Sequence, residues 1–138
     1  MAALQQVIYV ENNVGVRFVR AFNEFSMNHN WGALFQHWIH PGMQRAQRGD
    51  EWWLDEIGRL GYALLTCDLE ILNIATEREA VRRSGIRHVG FADSQYDGWT
   101  QMRAITRHWE ALAAELQNAG PTATKVYAGS TPLEIEHL

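Results

Sequence analysis

Four acidic side chains stand at places in this sequence where their carboxylates could do chemistry together. They are Glu11, Asp50, Glu51 and Asp68. Two of them follow short apolar runs, at residues 6–10 and 62–66, and the other two open an amphipathic stretch that leads into the second run. Clustered carboxylates repel one another and favour a divalent cation, and their hard oxygen atoms suit Mg²⁺ or Mn²⁺. Such an ion could activate water for attack on a phosphodiester and stabilise the charge that develops.

The strands that must position these acids are predicted by short apolar runs rich in β-branched and aromatic residues. Two runs near the C-terminus, at residues 125–128 and 133–135, are separated by a Gly-Ser-Thr-Pro turn and predict a terminal β-hairpin. The other predicted strands cover residues 6–10, 34–39, 62–66 and 86–91.

Apolar residues at helical spacing predict the helices between these strands. Asp50 is the predicted N-cap of the second helix, and Thr76 with Glu79 three residues later is a predicted capping box for the third. The predicted helices cover residues 14–25, 50–61, 76–85 and 99–118. Alternation of strand and helix favours an α/β sandwich with a mainly parallel sheet. In such a sheet, ligand sites form at the carboxyl ends of the strands, which is where Glu11 and Asp68 stand.

Composition limits the class of protein further. The 138 residues, of which 46% are hydrophobic, are the size of one domain. A lone cysteine, Cys67, excludes an intramolecular disulfide and is in keeping with a reducing cytoplasm. No apolar run approaches the roughly 18 residues that cross a bilayer, so no membrane association is expected. The net charge of −4 argues against binding of nucleic acid through the overall charge of the protein. A nucleic-acid role would therefore need a local basic patch or metal ions.

An ordered series of segments resembles the PIN-like domains of the VapC toxin class. The series is an acidic loop at 10–15, an acid-acid-x-Trp helix start at 49–54 and a strand-Thr-x-Asp segment at 64–68, followed by segments 75–80 and 84–86. The similarity runs across roughly residues 6–91. It implies a three-layer α/β/α sandwich that forms one domain over residues 1–138, Mg²⁺ or Mn²⁺ at clustered acids, cleavage of RNA, and neutralisation by a cognate antitoxin protein.

The resemblance also assigns roles to the acids. Glu11 matches the family's first acid, Asp50 its helix-start acid and Asp68 the acid after the third strand, so these three are the predicted catalytic residues. Together with Glu51 they are the predicted metal ligands. The family usually has aspartate at the position of Glu11, and the longer side chain could shift a bound metal. Basic residues often flank the strand-end aspartate of the family, whereas this chain has Cys67 and Leu69 there.

Several other side chains have a structural and a functional interpretation. Asp93 and Asp97 follow the fourth strand and could supply a further acid, although both residue types are also common in turns. Cys67 is expected to be a small buried hydrophobe. Core packing rather than base stacking is expected for the six tryptophans. They are Trp31, Trp38, Trp52, Trp53, Trp99 and Trp109.

Two other functions compete with the nuclease. One is a PIN-like module that has lost metal binding through Glu11 and only binds RNA or a partner protein. The other is a flavodoxin-like receiver domain, which would need two acids after the first strand and a lysine on the last. Here asparagines follow Glu11 and the one lysine is Lys125, in the terminal hairpin, so this alternative ranks last. The sequence leaves the oligomeric state open, with a homodimer as one option.

Overall fold

A computed structural model of the chain describes residues 6–11, 16–29, 32–37, 50–67 and 73–138. For residues 6, 16, 29, 34, 36, 37 and 50–53 it describes the backbone alone. The strands are β1 (Gln6–Val10), β2 (Ala33–His37), β3 (Ala63–Thr66), β4 (Arg87–Phe91), β5 (Thr122–Val126) and β6 (Glu134–His137). The helices are α1 (Val16–His29), α2 (Asp50–Leu60), α3 (Ala75–Ser84) and α4 (Gly98–Leu116).

All six of these strands form one sheet, in the order β2-β1-β3-β4-β5-β6. Strands β1 to β5 are parallel to their neighbours, and β6 is antiparallel to β5. The predicted mainly parallel sheet is therefore confirmed. The predicted terminal hairpin is present as β5 and β6, but β5 also extends the parallel sheet, because it pairs with β4 from Thr122 to Val126.

Helices cover both faces of the sheet, and alternate strand residues pack into the two resulting cores. In β3, Leu65 belongs to the core that contains residues of α1 and α4, whereas Leu64 belongs to the core that contains residues of α2 and α3. We call these the α1/α4 layer and the α2/α3 layer. The three-layer α/β/α fold is thus confirmed. No helix in the described ranges is long and apolar enough to span a lipid bilayer.

The start of α3 differs from the prediction. Its N-cap is Ile74, which makes no side-chain cap, and the backbone N–H of Arg78 bonds to the Ile74 carbonyl at 2.8 Å. This hydrogen bond extends the helix past Thr76, which therefore lies inside the first turn and cannot adopt the extended conformation of an N-cap. Glu79 pairs with Arg82 instead of closing a capping box. The predicted capping box is wrong.

Candidate functional site

The C-terminal edge of the parallel strands brings together residues that are distant in sequence. Val10 of β1 lies beside Leu65 of β3, and the backbone N–H of Glu11 continues this pairing with a 3.0 Å hydrogen bond to the Leu65 carbonyl. Glu11 therefore emerges next to Thr66, the last residue of β3, and Cys67 follows directly. We call Glu11, Thr66 and Cys67 the edge cluster.

The Glu11 carboxylate is held by a hydroxyl from the neighbouring strand. Thr66 Oγ1 donates a hydrogen bond to Glu11 Oε2. Thr66 is fully buried and Glu11 is half-buried, so this contact lies where the sheet core meets solvent. A hydrogen bond to an ionised group is stronger than one between neutral groups, and it orients the carboxylate. The first predicted acid thus has a defined position at the edge.

Helix α4 docks on the edge cluster through a buried amide. Gln101 is 5% exposed, and its Nε2 donates to Cys67 Sγ at 3.0 Å and to the Tyr96 carbonyl at 3.1 Å. This side chain ties the first turn of α4 to the end of β3. The first turn of α4 therefore lies beside the same edge as Glu11.

The charge of Glu11 acts on two neighbouring side chains. Burial, and then the Glu11 charge, raises the pKa of the Cys67 thiol to about 11, although the hydrogen bond from Gln101 opposes the shift. Burial and the same charge raise the pKa of Tyr9 to about 12. Both groups are therefore protonated at neutral pH. The prediction that Cys67 is a small buried hydrophobe is confirmed, since it is 6% exposed and carries no thiolate.

The other predicted ligands can be placed only by their backbone, or not at all. Asp50 is the first residue of α2, and two residues separate the end of α2 at Leu60 from the start of β3 at Ala63. The C-terminus of α2 therefore lies near the start of β3, and its first turn lies about 16 Å further along, toward the C-terminal edge. The side chains of Asp50 and Glu51, and all of Asp68, lie outside the described residues. Among the side chains that are described, no group of three His, Cys, Asp or Glu could hold a metal ion.

Asp93 and Asp97 both have local backbone roles. Asp93 Oδ1 accepts a 2.8 Å hydrogen bond from the backbone N–H of Gln95. Asp97 is the N-cap of α4 and accepts a 2.8 Å hydrogen bond from the N–H of Thr100. Hydrogen bonding to Thr100 holds the pKa of Asp97 below its usual value, and the charge of Arg103 adds to this effect. These contacts support the turn interpretation of Asp93 and give Asp97 the role of a helix cap, which was not predicted from the sequence.

The tryptophan prediction is confirmed at one position and wrong at another. Trp109 is 7% exposed and packs in the core of the α1/α4 layer. Trp99 is 70% exposed. It precedes the buried Gln101 by two residues, which is about 200° around a helix, and so it faces away from the core. The side chains of the other four tryptophans lie outside the described residues.

Two residues of the site were not assigned from the sequence, namely Thr66 and Gln101. Each had a weak signal. Thr66 is the one polar residue at the end of an apolar strand, and Gln101 is a polar residue on the otherwise apolar face of α4 that includes Ala104 and Ile105. A polar residue on a buried face needs a partner, and that need is the signal that sequence reasoning can use.

The donor chemistry of the edge cluster fits a hard divalent cation. Glu11 and Thr66 provide oxygen atoms, whereas Cys67 carries a proton and is held by Gln101. Carboxylate and hydroxyl oxygens suit Mg²⁺ or Mn²⁺. One carboxylate does not make a complete site, so further acids would have to join Glu11.

Comparison with known proteins identifies a family. The family model described as a PIN-like domain matches residues 7–93, which is more than half of the chain. The match runs from β1 to the turn after β4 and includes the whole edge cluster. A comparison with curated proteins and one with solved structures each found no match. Because the family model covers most of the chain and the α/β/α fold agrees with it, the chain belongs to the PIN-like domain family.

Proposed function

We propose that the chain is a metal-dependent endoribonuclease whose catalytic acids are Glu11, Asp50 and Asp68, with Glu51 as a further metal ligand. Membership of the PIN-like family supports a nuclease-type activity. The observation that carries the proposal is the position of Glu11. Its carboxylate is held by Thr66 at the C-terminal edge of a parallel sheet, which is where α/β proteins place their ligands.

Each residue of the edge cluster has a defined part in the proposed site. Glu11 would bind the metal, and Thr66 keeps its carboxylate oriented. Cys67 accepts the hydrogen bond from Gln101 that holds the first turn of α4 beside the same edge. When bound, Mg²⁺ or Mn²⁺ would supply positive charge that activates water and stabilises the phosphodiester as it is cleaved. The backbone of α2 begins at Asp50, and the proposal assigns the side chain of this residue to the same edge.

Cleavage of a labelled single-stranded RNA, with EDTA, Mg²⁺ or Mn²⁺ present, tests the proposal. We expect cleavage only with a divalent ion, and a loss of about a hundredfold or more for Glu11→Gln and for Asp68→Asn. Glu79→Gln is the matched control, because Glu79 is an exposed glutamate on α3, and it should cleave like the wild type. Equal cleavage in EDTA, or full activity of Asp68→Asn with Mn²⁺, would refute the proposal.

Glu11→Asp is a sharper variant, since it shortens the side chain by one methylene and keeps the charge. We expect activity equal to or higher than that of the wild type. A complete loss would show that the site is built around the longer acid. If the wild type binds RNA but cleaves none with either ion, the chain is instead a PIN-like module without metal chemistry.

We further propose that the protein is the toxin of a type II toxin–antitoxin pair and acts in the cytoplasm. This follows from the resemblance to VapC toxins and is tested in cells. Expression of the wild type alone should arrest growth, and Asp68→Asn should relieve the arrest. Co-expression with the neighbouring small gene should yield a complex in which cleavage is suppressed. Size-exclusion chromatography of the free protein tests whether it forms a homodimer. If the wild type does not arrest growth, and no small partner protein is recovered with it in a pull-down, the toxin role is excluded.

A further inference from the structure

Among the described residues, the exposed arginine side chains of one helical layer form ion pairs and those of the other layer form none. In the α2/α3 layer the guanidinium groups meet carboxylates, as where Arg83 contacts Asp55 at 2.8 Å. The other pairs are Arg59–Glu56, Arg78–Glu136 and Arg82–Glu79. In the α1/α4 layer four arginines are exposed, and none forms an ion pair with a residue that the structure describes. They are Arg17, Arg20, Arg103 and Arg107.

These unpaired charges lie on the side of the molecule that reaches the edge cluster. Helices α1 and α4 follow the parallel strands β1 and β4, so their first turns lie near the C-terminal edge. Neither first turn contains an acidic residue. A helix N-terminus carries partial positive charge, which adds to that of Arg17 and Arg103, although the N-cap Asp97 offsets part of it at α4. The first turns of α1 and α4 therefore add positive charge beside Glu11, in a chain whose net charge is −4, while the exposed acids Glu24 and Glu110 lie further along the two helices.

An exposed aromatic ring stands among these arginines. Trp99 is 70% exposed and lies on the same face of α4 as Arg103 and Arg107, because residues four apart are neighbours on a helix surface. The other large hydrophobic side chains that are exposed in the described ranges lie on α1, before α3 and on β6. On α4, the exposed side chains four and eight residues after Trp99 are Arg103 and Arg107, whereas Met102 packs against the core. Phosphate and a planar base match this surface better than an apolar protein face does.

We propose that Trp99, Arg103 and Arg107 of α4, with Arg17 and Arg20 of α1, form a binding strip for single-stranded RNA that leads to the edge cluster. A base stacks on the Trp99 indole and the arginines contact phosphates, which is the combination that single-stranded nucleic acid requires. Single-stranded RNA is favoured over duplex because a base must be unstacked to lie on the indole. The choice of RNA rests on the proposed function.

Binding without cleavage tests the strip. Fluorescence anisotropy of a labelled single-stranded oligoribonucleotide with the full chain in EDTA measures affinity alone. We expect Trp99→Ala to raise Kd by about tenfold and Trp99→Phe to keep most of the affinity. Arg103→Ala should weaken binding and reduce the slope of log K against log salt by about 0.7 for each phosphate that is no longer neutralised. Arg82→Ala is the matched control, since Arg82 is exposed on α3, and it should bind like the wild type.

The outcomes separate the strip from the nuclease. Wild-type affinity of both Trp99→Ala and Arg103→Ala would overturn the strip even where Mn²⁺-dependent cleavage is intact. Binding that depends on Trp99, together with no cleavage under any metal condition, would uphold the strip and refute the nuclease. Equal affinity for a duplex of the same sequence would overturn the single-strand assignment. Circular dichroism of each variant checks the fold, which should be unchanged because the altered side chains are exposed.

Discussion

At the scale of single residues, the Glu11 carboxylate accepts a hydrogen bond from a hydroxyl on another strand. Thr66 is fully buried and donates to Glu11 Oε2. Thr66→Val keeps the shape of the side chain and removes the donor. We expect it to lower the free energy of unfolding by about 1–3 kcal/mol, because a half-buried carboxylate loses a hydrogen bond. Urea denaturation at pH 7 measures this change.

Two further variants identify the cause of that loss. Thr66→Ser retains the hydroxyl and should recover most of the stability. In a Glu11→Gln background the effect of Thr66→Val should shrink, because the charged acceptor is already gone. An effect of equal size in both backgrounds would mean that Thr66 acts through packing rather than through Glu11.

Sequence reasoning reached one half of this pair. An apolar run that stops at a polar residue is a local signal, and it identified Glu11. Its partner Thr66 is 55 residues away, and the contact exists because β1 and β3 pair with Val10 beside Leu65. Register between strands is set by the packing of the whole sheet, which no local pattern contains. Glu51 and Asp68 remain predictions, as does the side-chain role of Asp50.

At the scale of elements, α2 and α3 touch at a position where only glycine fits. A Cβ on Gly58 would meet Ser84 Cβ and lie 2.6 Å from the Ser84 carbonyl oxygen. Alanine gains about 1 kcal/mol over glycine in helix propensity, but this clash involves backbone and cannot relax cheaply. We expect Gly58→Ala to lower the free energy of unfolding by about 1–3 kcal/mol, measured by urea denaturation.

Gly98 provides the matched control for Gly58. It is also in a helix, at the start of α4, and a Cβ there meets no atom within 4 Å. Gly98→Ala should leave stability unchanged or raise it by up to about 1 kcal/mol. If both alanine variants have the same free energy of unfolding, the close packing of α2 on α3 does not contribute to stability.

Element boundaries were predictable where the signal was local and strong. The strand Gln6–Val10 was recognisable from its apolar run, whereas the N-cap role of Asp97 was not predicted. The capping box at Thr76 failed because such a pattern is worth only about 1 kcal/mol, and one more backbone hydrogen bond to Ile74 outweighs it. A local sequence pattern of this strength is therefore overridden by a single additional backbone hydrogen bond.

At the scale of the whole molecule, alternation of strand and helix was enough to predict the α/β/α layers. The pairing of charges was not predictable, since Arg78 finds Glu136 on β6 only through the packing of α3 over the sheet. The exposure of Trp99 was missed for a related reason. Aromatic residues usually pack in cores, and the direction in which Trp99 points is set by the side of α4 that Gln101 and Ile105 bury.

A buried histidine couples the stability of the whole sheet to pH. His88 lies in β4 between Leu64 of β3 and Ala123 of β5, and it is fully buried. Neither of its ring nitrogens has a hydrogen-bond partner in the described part of the chain. Burial lowers the pKa of His88 from 6.5 to about 4. The folded protein therefore keeps this imidazole neutral down to mildly acidic pH.

In the unfolded chain His88 titrates near its ordinary pKa. As the pH falls from about 6.5 to about 4, the unfolded chain therefore binds a proton at His88 that the folded chain does not bind. The contribution of His88 to stability is therefore complete above about pH 6.5, and up to about 3 kcal/mol of the free energy of unfolding is lost between pH 6.5 and pH 4.

His88→Leu should remove this pH-dependent loss. By eliminating two unpartnered nitrogens, it should also raise the free energy of unfolding at pH 7 by about 1–3 kcal/mol. Urea denaturation between pH 4.5 and 7.5 measures both effects, with exposed His137→Gln as the control that keeps the wild-type slope. Carboxylates also titrate at the acidic end of this range, so the contribution of His88 is the difference between the wild type and His88→Leu. Equal slopes of unfolding free energy against pH for these two proteins would contradict the prediction.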